Sequence, residues 1–229
     1  MASATVRLVR DELVGFAKSK VMIVLWVLLP VIAIGGYLLL PSAIPMRGRE
    51  EGLSASAFMA IVMSSLAGTV AALMVAVDVI SEKNRKVYEL FVIRPIRPEA
   101  IIWAKFVAVF VCVTVACVVS LGLGIVVDLV RGDEVTGAML YDALQAVLAL
   151  VGVIALSAGV GVLFGVIAKT ILIAVILILY VGQNLAIIPM LPMLIGLLPS
   201  ALWVALLISA GLTALLLWGS GVLFRRTEY

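Results

Sequence analysis

The chain has 229 residues, 65% of them hydrophobic and 13% charged, with a net charge of +3, and its mean hydropathy is +1.32. Soluble domains sit nearer half apolar and a quarter charged, so this composition excludes an ordinary soluble domain; repeated apolar runs of about 20 residues read instead as an all-α membrane protein, not the short alternating segments of a membrane barrel. The absence of histidine removes imidazole metal sites and His-based acid–base chemistry, and a small basic excess with no soluble basic domain gives no support to a nucleic-acid partner.

In chain order, residues 1–20 read as an interfacial segment. Val6, Val9, Leu13 and Phe16 recur at helical spacing, with Arg7, Arg10, Asp11 and Lys18 on the other side, the pattern of an amphipathic helix lying in a membrane surface. No cleavable signal is evident, because these residues are charged and the first apolar run ends at Pro41. That run, 21–40, is the first expected span, and the Pro- and Gly-containing stretch 41–56 is a loop. The second span is 57–77. A charged island, 81–105, follows, and the third span is 101–127. An acidic loop, 128–142, leads to the fourth span, 143–168, which Lys169 interrupts, and then to the fifth, 170–187. Pro189, Pro192 and Pro199 break 188–200, so it reads as a turn or short helix at the interface. The sixth span, 201–224, closes on Arg225 and Arg226. The expectation is one domain, 1–229, of six transmembrane helices.

Lysine and arginine orient the spans. With the N-terminus inside, the inner segments hold Arg7, Arg10, Lys18, Lys20, Lys83, Arg85, Lys86, Arg94, Arg97, Lys105, Lys169, Arg225 and Arg226, against Arg47, Arg49 and Arg131 outside. This bias places both termini and the island in the cytoplasm of a cell with the chain in its plasma (inner) membrane. Cys112 and Cys117 lie five residues apart on one helix, do not share a face, and read as small apolar residues.

The island carries its own pattern. Ser81 is a candidate N-cap with Glu82 in the first turn of a helix over 81–93. Val87, Leu90 and Phe91 form one apolar face, and Lys83, Arg85, Lys86 and Glu89 surround it. Pro95 and Pro98 then force a turn, and Trp103 and Lys105 re-enter at interfacial depth. Basic residues could meet anionic membrane lipids here, but mixed charge with Tyr88, Leu90 and Phe91 suits a protein partner better.

The stretch Ser81-Glu82-Lys83, Tyr88-Glu89-Leu90, Arg94-Pro95 and Ala104-Lys105 resembles the segment after the second span of ABC-2-type transporter permeases. At sequence level the resemblance covers about 78–106, and it departs from the family where Lys86-Val87 replaces Gly-Thr and Ala104 replaces Gly. It implies that 81–97 is a coupling helix and turn docking on a separate ABC ATPase subunit, through Glu82, Lys83, Arg85, Lys86, Tyr88, Glu89, Leu90, Phe91, Arg94 and Arg97. It also implies two ATPases and two permeases, a homodimer or a related pair, with substrate passing between the permeases. The chain has no phosphate-loop motif, so ATP and Mg would belong to the partner, and the chain itself needs no cofactor. The implied function is the permease subunit of an ATP-driven transporter, read as an exporter. A stand-alone channel or secondary transporter, or a non-transporting assembly subunit, are the alternatives.

Other residues bear on packing and on a path. Ser157, Gly161 and Gly165 repeat every four residues, the small-residue spacing that lets helices approach closely, within one subunit or at a dimer seam. Gln183 and Asn184 are amides inside an apolar span, where the resemblance would place a translocation path; a helix–helix hydrogen bond is the simpler reading. Ser64, Ser65 and Thr69 resemble such a lining but can bond their own backbone. Asp78 and Lys105 are positioned to pair across the base of the second and third spans. No catalytic set or metal-ligand set is visible, so the chain is not read as an enzyme.

Overall fold

The computed structural model describes residues 2–43, 55–85, 98–131, 137–182, 184–185, 188 and 201–226. Helix makes up 96% of the structure, with no strand among the described residues. The elements are α1 (Ala2–Ala17), α2 (Lys20–Ala43), α3 (Ala55–Asn84), α4 (Pro98–Arg131), α5 (Gly137–Ile167), α6 (Ile171–Leu177) and α7 (Ala201–Arg226). A π-helical turn, Ile178–Gly182, continues α6.

Four stretches are long and apolar enough to cross a membrane: Val62–Asn84 in α3, Ala100–Val127 in α4, Leu144–Ile167 in α5 and Leu202–Phe224 in α7. They correspond to the second, third, fourth and sixth expected spans, and they make the chain compatible with an integral membrane protein. The first expected span lies within α2, which qualifies only together with α1, and the two meet at a 62° bend. The fifth overlaps Ile171–Gly182, an apolar helix shorter than a bilayer.

Three expected boundaries are corrected. α2 does not end at Pro41 but runs to Ala43, with the proline in its last turn at the cost of one backbone hydrogen bond. Ser81 is not an N-cap; its carbonyl accepts the Arg85 amide at 3.0 Å as α3 runs its last turn to Asn84. No glycine or proline stands between Val77 and Asn84 to break the helix, so its 30 residues extend about 45 Å. Pro98 does not sit in a turn but opens α4, where the missing amide costs nothing and the fixed φ suits the helix.

Small side chains set the packing. α5 lies against α3 through Ser157, Gly161 and Gly165, which meet Gly68, Ala72 and Ala76 in that order. Both series advance by four residues in the same direction, so α3 and α5 are parallel. A Cβ on Gly161 would lie 2.3 Å from the Ala72 carbonyl oxygen, and one on Gly165 would lie 3.1 Å from Ala76 Cα. The backbones are therefore nearly in contact, as small residues allow where lipid and neighbouring helices are equally apolar. α7 packs on the other side of α5, where Gly152 faces Ser209 and Gly159 faces Thr213 and Leu216; it too runs parallel. One buried cluster joins Met22, Leu25, Leu29, Val109, Val113 and Leu150 across α2, α4 and α5.

Candidate functional site

At one end of the bundle the last turns of α3 meet the first turns of α4. α4 has 34 residues and extends about 51 Å, well beyond a hydrocarbon core of about 30 Å, so its first turns can carry charge near the edge of the apolar layer. Asp78 and Glu82 are four apart on α3 and share a face. Lys105 on α4 projects toward that face with only 1% of its side chain exposed. Its Nζ donates to Asp78 Oδ2 and, at 2.7 Å, to Glu82 Oε1. A third carboxylate arrives from α1, where Glu12 Oε1 lies 3.3 Å from the same nitrogen. The three N–H groups of the ammonium are matched by three oxygens from two other helices.

A lysine buried this completely is stable only if paired, and removal of its partners would strand the charge. The expected Asp78–Lys105 pair is present. Glu12 and Glu82 extend it into a four-residue cluster that pins α1, α3 and α4 together. Glu82 Oε2 is buried and has no hydrogen-bond partner, so the cluster holds more acceptors than donors. α1 lies outside the long apolar helices, and burial pushes the Glu12 carboxyl above its ordinary 4.5, against the opposing pull of Lys105; the Glu82 and Asp78 carboxylates push the same way as burial.

Neighbouring side chains brace the cluster. Lys83 Nζ donates to the Val166 carbonyl oxygen at 3.1 Å, satisfying one of the last acceptors of α5 and placing a cation at its C-terminal dipole. Thr170 Oγ1 then accepts the Ile173 amide and caps α6. On α4, Trp103 packs edge-on against Phe106, which stacks on Phe110. The Leu13 carbonyl of α1 lies over Cys112, whose Sγ is 4.0 Å away.

The other candidate residues are distributed as follows. Glu82 and Lys83, expected at a docking surface, are engaged inside this assembly, whereas Arg85 is exposed. Lys86, Tyr88, Glu89, Leu90, Phe91, Arg94 and Arg97 lie outside the described residues, as does Gln183. Ser157, Gly161 and Gly165 all face α3 of the same chain. Asn184 is exposed and its amide donates to the Tyr180 carbonyl of the π-turn. Thr69 Oγ1 donates to the Ser65 carbonyl at 2.6 Å; Ser64 is buried and Ser65 exposed. Thr69 and Ser157 line a cavity of about 10 Å³ together with Gly182 of the π-turn, room for about one water. No group of residues suited to a metal ion occurs among the described residues.

Glu12 is the member that sequence reading missed. The signal for it was an acidic residue four positions before Phe16 on an amphipathic helix, but the expected partner of Lys105 was Asp78 alone. No protein-family model matches this chain, and no curated protein sequence matches it either.

Proposed function

We propose that this chain is the membrane subunit of an ATP-driven transporter of the ABC-2 type, read as an exporter, whose ATPase is a separate subunit docking on the segment between α3 and α4. The observation that carries this reading is the Lys105 cluster. The segment 85–97 leaves α3 three residues after Glu82 and enters α4 seven residues before Lys105, so both of its ends are rooted in the same ion-paired knot, to which Glu12 adds α1. A push on that segment is delivered to three helices at once, the arrangement required if an outside ATP cycle is to move a bundle as a rigid unit. The mixed-charge pattern through Tyr88, Glu89, Leu90 and Phe91 supplies the docking chemistry.

The same reading takes six crossings. α3, α5 and α7 run parallel, which agrees with that number: in this reading α4 is the return between α3 and α5, and the second return begins with α6 and the π-turn. α2 then serves as the first crossing and α1 as the interfacial helix. In this arrangement the cluster, Lys83 and Arg226 share the cytoplasmic end. The wide apolar faces of α7, with Trp203, Leu207 and Trp218 each more than 60% exposed, are available to lipid and to a second permease copy.

The test is reconstitution with a candidate ATPase. Transport should require both the ATPase and ATP, and Arg85→Glu combined with Tyr88→Ala should abolish ATPase binding while leaving the bundle folded. Glu82 is unsuitable for this test because its side chain belongs to the cluster. Binding that survives the double substitution, or transport that proceeds without any ATPase, would overturn the assignment and favour a stand-alone channel.

A further inference from the structure

We propose that Glu12 is a proton-binding site that controls how firmly α1 is held against α3 and α4. The inference stands independently of the transporter reading, since it concerns only the three helices and the groups between them.

It begins with charge. Lys105 is one ammonium facing three carboxylates, Glu12, Asp78 and Glu82. With all three ionised the knot would carry a net charge of −2 around a fully buried lysine. The other nearby cation, Lys83, donates to the Val166 carbonyl and forms no ion pair with the three carboxylates among the described residues. α2 contributes a single charged residue, Lys20, and it is exposed. On α1 itself, Arg10 and Asp11 flank Glu12 on the exposed side. The charged groups that face Glu12 are thus Lys105 from α4 and Asp78 and Glu82 from α3.

The three carboxylates are not equivalent. Asp78 and Glu82 hold Lys105 closely, whereas Glu12 is the most distant at 3.3 Å. Like charges sharing a site cannot all remain ionised at low cost, and the one with the weakest hold on the cation takes the proton first. Only Glu12 Oε1 faces Lys105, which leaves Oε2 to take a proton from solvent through the 21% of its side chain that is exposed. No other species is consumed: a carboxylate and a proton become a carboxylic acid, and the net charge of the knot falls from −2 to −1. The direction of the Glu12 shift agrees, burial being its largest cause.

The sign follows by linkage. A carboxyl whose docked value lies above its undocked 4.5 favours docking most at low pH. That contribution is lost as pH rises from the ordinary value through the raised one. α1 therefore grips α3 and α4 in mild acid and loosens as the solution becomes alkaline. Its release is reported by a native probe, because the Leu13 carbonyl covers Cys112.

Two measurements on the full-length protein in lipid nanodiscs test this. In hydrogen–deuterium exchange, with rates corrected for intrinsic pH dependence, α1 should lose protection severalfold between mildly acidic and mildly alkaline pH while α5 does not. In a Cys117→Ala background, N-ethylmaleimide should modify Cys112 at rates that diverge severalfold from those of the Glu12→Gln protein as pH rises. The two should agree at acid pH, and the ratio cancels the thiol's own ionisation. Corrected α1 protection that is flat with pH overturns the proposal in the wild-type chain alone, whether or not Glu12→Gln folds. A pH-independent alkylation ratio overturns it equally.

Discussion

The α3–α5 seam and the Lys105 knot fix helices by opposite means. At the seam, position is set by what is missing: Gly161 and Gly165 lack the atoms that would push Ala72 and Ala76 away. At the knot, position is set by long side chains that must be present, with one buried lysine reaching three carboxylates on two helices. In an apolar surrounding, burial of hydrocarbon does not distinguish a correct neighbour from lipid. Steric fit and charge are what remain to specify the arrangement. The seam tolerates no added atom and the knot tolerates no lost one.

This contrast predicts a graded series of substitutions. The largest effect is expected from Lys105→Met, which strands three carboxylates together. Breaking a buried pair from one side costs about 3–5 kcal/mol, and the lower end applies because the carboxylates are 21–32% exposed. The deficit should shrink as pH falls and Glu12, whose carboxyl is raised by burial, takes a proton; a loss equally large at acid pH would mean that Lys105 acts by packing alone. Gly161→Ala comes next, at about 1–3 kcal/mol for overpacking, read as a lowered unfolding midpoint in detergent. The clash is with the backbone of Ala72, so adding Ala72→Gly should not rescue it. Rescue would show that the helices are held apart by side chains instead.

Smaller effects sharpen the boundary of each region. Lys83→Met removes one hydrogen bond to the end of α5 and should cost about 1 kcal/mol, with no dependence on the charge state of Glu12. Gly219→Ala lies away from the seam, and its new Cβ would meet nothing within 4 Å. It should raise stability by about 0.5 kcal/mol through helix propensity. Loss of stability there would mean that a second copy of the chain covers this part of α7.

Legibility in the sequence divides along the same line. The seam was read from one helix, through the four-residue period of Ser157, Gly161 and Gly165; Gly68, Ala72 and Ala76 repeat at the same spacing on α3, but which two rows meet is not local information. Asp78–Lys105 was readable because both charges stand near the ends of neighbouring spans. Glu12 was not, because the 62° bend between α1 and α2 decides which helix α1 reaches, and nothing local encodes that angle. Ser81 misled for a related reason: a serine before a glutamate mimics a cap, yet Asp78 and Glu82 must share one continuous helix to meet Lys105. The π-turn at 178–182 has no sequence signature among its apolar residues; it buries Ile178 and Gly182, the latter against Val160 of α5.

The order of the four charged residues along the chain also matters while the protein is being made. Glu12, Asp78 and Glu82 all precede Lys105, and chains emerge N-terminus first. When α4 leaves the ribosome carrying a lysine that no apolar surrounding accepts alone, its three counter-ions have already been made on α1 and α3. The lysine thus arrives after all of its counter-ions, and the early part of the molecule supplies the acidic socket into which α4 brings it.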